Sequence, residues 1–175
     1  MWNLRSRRCY AVLEKAFYKS LGRPHARMSC FSVQGNHVHM LVEAHDREQL
    51  GRLMQSMCIR MAKGLNKVMN GRRGAVFIER FHSRSLSTPR ETRAAIVYVL
   101  QNHVKHRADA GQPLPMGWLD LEYSSASWFT GWREPLPASP RPPPVSAPGT
   151  WLLERGWWEK GGGTIGRTEM PSRRK

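Results

Sequence analysis

Two pairs of side chains have types and spacings that could do chemistry: His37 with His39, and Tyr98 with Asn102. On a β-strand, residues i and i+2 point to one face. A strand carrying His37-Val-His39 therefore presents two imidazoles side by side, able to grip a divalent cation from one side and leave its other positions open. On a helix, Ile96, Leu100 and Val104 recur every four residues and mark an apolar face. Tyr98 and Asn102 are also four apart but two residues out of phase, so they project together from nearly the opposite side. A phenol is a weak nucleophile at neutral pH, but a cation that polarises a target phosphate lowers what is asked of it. Each pair also has an ordinary reading. A His-x-His on a strand is often structural, and a tyrosine on an amphipathic helix is often a plain surface residue.

Several elements must position these groups. Residues 28–34 and 38–43 read as two extended apolar runs joined by Gly35-Asn36, a tight-hairpin signal because both residues tolerate positive φ. Before them, residues 6–21 form an amphipathic helix. Ser6 caps it, Val12, Leu13, Phe17 and Leu21 make its stripe, and Gly22 with Pro24 stops it. After them, Asp46-Arg-Glu-Gln49 opens a second helix in the form of a capping box. Leu50, Leu53, Met54, Met57, Met61, Leu65 and Val68 recur at helical spacing until Asn70-Gly71; the methionines are core filler. Residues 75–86 predict a strand with Val76, Phe77, Ile78 and Phe81 as its bulk and Arg80, His82 and Arg84 alternating along one face. Thr88-Pro-Arg-Glu91 then starts a helix to about residue 106. The class is α+β. With a leading strand the order would be the βαββαβ of a ferredoxin-like antiparallel sheet with helices on one face, plus an extra C-terminal helix and an irregular tail. That first strand is missing from the order, and the chain is read as an N-terminally truncated copy.

Charge and composition narrow the partner. The 175 residues carry 28 Lys and Arg against 13 acids, for +15 and a pI near 10.9. Residues 1–107 hold 20 basic and 6 acidic side chains, whereas 108–175 hold 8 and 7. The positive field belongs to the half with the histidines, which suits a polyanion such as nucleic acid. No segment sets a clean basic face against an aromatic one, so a membrane surface is the weaker partner. No apolar run is long enough to span a bilayer, and Cys9, Cys30 and Cys58, odd in number and set in apolar runs, read as reduced and buried. A cytoplasmic protein is expected. The chain divides into a domain at 1–107 and a Trp/Pro-rich, partly disordered extension at 108–175. Residues 138–149 read as a polyproline-like linker, and the many tryptophans imply that the extension wraps along the domain in short pieces, loose beyond Lys160.

The ordered set Gly35-Asn-His-Val-His-Met-Leu-Val, Leu50-Gly-Arg-Leu-Met-Gln-Ser-Met57, Arg80-Phe-His82 and Tyr98-Val-Leu-Gln-Asn102 resembles the single-tyrosine HUH transposases, in particular the REP-associated tyrosine transposases. The likeness covers about residues 2–107, with a weaker echo in Tyr123-Ser-Ser125 and Thr150-Trp-Leu-Leu153. The resemblance implies cleavage and strand transfer on single-stranded DNA that bears a hairpin. It makes His37 and His39 ligands of Mg²⁺ or Mn²⁺, Asn102 a third ligand, and Tyr98 the nucleophile that forms a 5′-phosphotyrosine. Arg72, Arg73, Arg80, His82, Arg84, Lys105 and Arg107 are the DNA-binding candidates, and a homodimer is one assembly the family allows. His103 and Lys105 depart from the family's usual residues. The alternative is a catalytically inactive remnant that still binds DNA hairpins.

Overall fold

A computed structural model describes residues 3–70 and 73–171. Its elements follow in the order α1 (Arg7–Tyr18), β1 (Ala26–Val33), β2 (Val38–Ala44), α2 (Arg47–Val68), α3 (Pro89–Asp109) and α4 (Trp157–Glu159), the last preceded by a π-helical turn at Leu152–Gly156. The helix starts are chemically marked. Ser6 accepts from the Cys9 N–H, Asp46 from Gln49, and Thr88 with Glu91 closes a reciprocal capping box behind Pro89. The N–H of Gln49 holds the Asp46 carboxyl below its ordinary value, and that of Ser87 does the same for Glu91.

The sheet is one antiparallel hairpin, in register from Ala26 opposite Ala44 to Val33 opposite Val38, with a bulge between Met28 and Cys30. Strand alternation divides its side chains cleanly. Met28, Phe31 and Val33 join Val38, Met40 and Val42 on one face, against Leu13 and Phe17 of α1 and Leu53, Met57, Met61 and Leu65 of α2. Gly64 lets α1 and α2 approach, since a Cβ there would run into the Val12 side chain. Cys30 and Leu41 lie on the other face with Ile96, Val97, Val99 and Leu100 of α3. Helices thus cover both faces, α1 and α2 on one and α3 on the other, and not the one face expected.

Three features differ from expectation. Gly35 and Asn36 keep negative φ, so the turn is not of the mirror-image type that positive φ would allow. It spans Gln34 to His37, closed by the Gln34 N–H donating to the His37 carbonyl at 2.8 Å. Residues 75–86 form no strand. Val76, Phe77 and Ile78 are consecutive apolar residues, a pattern that needs cover on both faces; only Val76 packs on the α1/α2 core, and Ile78 is 92% exposed. Finally, α3 has no single core face. Ile96, Val97, Val99, Leu100, Gln101 and Asn102 are all buried, while Val104 is only half-buried.

The reason lies in the C-terminal segment, which covers α3 and seals the outer edge of β1. The Val33 N–H donates to the Tyr123 carbonyl, the Phe31 N–H to Ser125 Oγ, and the Ser146 N–H to the Met28 carbonyl. Trp132, Trp157 and Ile165 are buried with α3, although Ile165 falls in the stretch expected to be loose. Arg5 reaches Asp120 at 2.5 Å, with its guanidinium 4.3 Å above the Tyr123 ring. Among the described residues, no helix is long and apolar enough to cross a membrane.

Candidate metal and nucleophile site

His37 closes the turn and His39 is the second residue of β2, and both share the parity of Leu41, so they face α3. Their Nε2 atoms stand 2.9 Å apart. His37 Nδ1 lies 2.7 Å from Asn36 Oδ1. A side-chain carboxamide oxygen only accepts, so Nδ1 carries the hydrogen and Nε2 keeps its lone pair. Burial, followed by the neighbouring charge of His106, lowers the His37 pKa from its ordinary value. Both effects favour the neutral imidazole that a metal requires.

Tyr98, Asn102 and His106 succeed one another at four-residue intervals on α3, about 6 Å of rise per step, and so form one stripe. That stripe meets the histidine pair. The Tyr98 ring lies 5.0 Å from that of His39, edge to face, and the His106 ring 6.3 Å from that of His37. The ligating nitrogens of His37, His39 and His106 all lie within 4.8 Å of one another. Asn102, placed between Tyr98 and His106 on the stripe, is 1% exposed, and its Nδ2 has no hydrogen-bond partner. His37, His39 and Tyr98 therefore come together with two additions, and Asn102 shares only the α3 stripe. His106 brings a third imidazole, signalled in the sequence only by continuation of the Tyr98–Asn102 spacing, and Asn36 orients His37. Tyr98 is half-buried against its own helix's core rather than projecting away from it.

The basic candidates scatter. Arg73, Arg80, His82 and Arg84 are exposed on the irregular segment before α3, where His82 lies 3.5 Å from Glu79. Arg72 lies outside the described residues. Lys105 pairs with Asp109 at 2.8 Å. Arg107 is different, since it lines a cleft of about 520 Å³ that shares His37 and His106 with the histidine group.

A divalent cation fits this donor set. Two nitrogens about 2.1 Å from one ion and at right angles to it lie about 3.0 Å apart, close to the separation of the His37 and His39 Nε2 atoms. Three imidazoles are donors that first-row transition metals favour more than the oxygen-seeking Mg²⁺ does, and the donor set alone does not select one ion. Among the described residues, the unsatisfied atom of the buried Asn102 carboxamide is Nδ2, a donor that calls for an acceptor and not for a cation. No protein-family model, curated protein or solved structure matches the chain.

Proposed function

We propose that this chain is a tyrosine transposase-type enzyme that cuts and rejoins single-stranded DNA beside a hairpin, with Tyr98 as nucleophile. The observation that carries the reading is the meeting of three ligating imidazoles with a phenol. His37, His39 and His106 converge within 4.8 Å, and Tyr98 packs against His39 at 5.0 Å. The order of motifs and the excess of positive charge in residues 1–107 support a polyanionic substrate. The free cysteines suit action in a reducing cytoplasm.

In this reading His37, His39 and His106 hold Mn²⁺ or Mg²⁺, with Asn102 behind them, and the ion when bound supplies Lewis acidity to the phosphate oxygens. Asn36 keeps the His37 Nε2 lone pair directed outward, a role that second-sphere partners commonly fill. Tyr98 Oη attacks phosphorus, the P–O3′ bond breaks, and the phenolic proton passes to solvent as the leaving O3′ is protonated. The product is a 5′-phosphotyrosine and a free 3′-OH. A 3′-OH from another strand reverses the step, which conserves the phosphodiester without a nucleotide cofactor. Half-burial of Tyr98 on a packed helix fixes its ring for in-line approach.

Incubation with a single-stranded hairpin DNA and Mn²⁺ is expected to give a protein–DNA adduct stable to denaturing electrophoresis. Tyr98→Phe removes the adduct and His37→Ala suppresses it, while both keep most of the binding. Tight hairpin binding by the wild-type protein with no adduct under either metal would overturn the enzymatic reading in favour of a DNA-hairpin-binding protein.

A further inference from the structure

The cleft beside the histidine group has a composition that metal binding leaves unexplained. His103 and Arg107, from the last turns of α3, form one wall, and Asn3, Gln34 and Asn36, from the N-terminal segment and the hairpin turn, form the other. Among the described residues, no carboxylate lines it. Asp120, the acid behind it, is turned onto Arg5, whose guanidinium also donates to the Val33 carbonyl. Among the described residues, the free cation at the cleft is therefore Arg107. Its Nε is buried and lacks a hydrogen-bond partner, a state that costs about 1–3 kcal/mol for a neutral donor and more for a charged one. The opposite wall offers carboxamides, the groups that pair with the edges of nucleobases. The wall is also fixed in place. Leu4 donates from its N–H to the Gly35 carbonyl at 2.8 Å, and Gln34 Nε2 donates to Ser32 Oγ at 2.8 Å.

We propose that this cleft is a nucleotide subsite, in which Arg107 and His103 hold a backbone phosphate and Asn3, Gln34 and Asn36 read the base of the nucleotide adjoining the phosphate under attack. The proposal rests on the strand-transfer reading, because the cleft shares His37 and His106 with the histidine group. Its size suits the occupant, as small-molecule pockets span roughly 300–1,000 Å³. Phosphate contacts position a strand whereas base contacts discriminate among sequences. Loss of the Arg107 wall therefore weakens binding to every sequence alike, and loss of the carboxamide wall changes preference.

The test uses Tyr98→Phe protein in EDTA, so that it is readable whether or not the wild type forms an adduct. Fluorescence anisotropy is measured with labelled dA, dC and dT 12-mers at two salt concentrations. Added Arg107→Gln is expected to weaken binding of all three about 10-fold and to reduce the salt slope by about one. Arg60→Gln, a control on the exposed side of α2, changes binding less than about 3-fold. Arg107→Lys, which keeps a cation but loses the planar fork, falls between them and guards against misfolding of the glutamine variant. Asn3→Ala changes the ranking of the three homopolymers with little change in their mean affinity. Equal weakening by Arg107→Gln and Arg60→Gln would overturn the subsite, leaving only general electrostatic attraction. A ranking unmoved by Asn3→Ala would overturn the assignment of the base-reading wall.

Discussion

Along β2 the side chains of Val38, Met40 and Val42 turn toward α1 and α2, while His39 and Leu41, with His37 just before them, turn toward α3. The first face is closed by apolar groups from two regular helices, and Leu53, Met57 and Leu65 there have no exposure at all. The second face is mixed. It buries Gln101, Asn102, Ser32 and Ser125 beside its apolar residues, and it opens at one end onto the three histidines. One face holds the hairpin together and the other presents the imidazole cluster. A one-residue slip of register would exchange them, so the packing of the first face is what places the imidazoles of the second.

Four substitutions test that division, taken from the largest effect on stability to the smallest. Asp120→Ala strands the Arg5 guanidinium, which is 16% exposed, and is expected to cost about 3–5 kcal/mol in a urea titration. It loosens the C-terminal segment from the sheet, so adduct formation falls along with stability. Met57→Ala empties space on the closed face and costs about 3 kcal/mol. Adduct formed per folded molecule should nevertheless stay within about 2-fold of wild type; a loss there as deep as that in a histidine variant would break the separation of the faces. Ser125→Ala leaves the Phe31 N–H without its acceptor at the β1 edge and costs about 1–2 kcal/mol by thermal melting. His106→Ala, at an exposed position, changes stability by less than about 0.5 kcal/mol. Its effect is functional: Mn²⁺ affinity by titration calorimetry drops about 10-fold or more, and an unchanged affinity would remove His106 from the ligand set.

The closed face was legible from sequence because regular elements build it. The spacing of Leu53, Met57, Met61 and Leu65 marks a helix stripe, and Ser6, Asp46 and Thr88 mark the helix starts to within a residue or two. The site-bearing face was legible only in part. His37 and His39 declare themselves by strand parity, and the Tyr98–Asn102 spacing declares a shared stripe. What periodicity missed is that irregular chain can bury a helix as well as a sheet does. Trp132, Trp157 and Ile165 come from segments without a period, so α3 looked half-exposed, and Asn102 was expected to project freely although it is buried. His106 was hidden for a related reason. It lies two turns beyond Tyr98, near the expected helix end, and its nearness to His37 follows from packing that sequence spacing does not encode. Residues 75–86 failed in the opposite direction. They carry strand-forming residues, but a strand also needs neighbours on its edges and faces, and Phe77, Ile78 and Phe81 remain exposed.

The central claim is that Tyr98 attacks the phosphate while the three imidazoles hold the metal. Proteolysis of wild-type protein after reaction with hairpin DNA and Mn²⁺, followed by mass spectrometry, tests it directly. The expected product is a peptide containing Tyr98 with a 5′-phosphonucleotide on the phenolic oxygen, formed in Mn²⁺ and absent in EDTA. The same modification on Tyr10, Tyr18 or Tyr123, or on a serine, would contradict it.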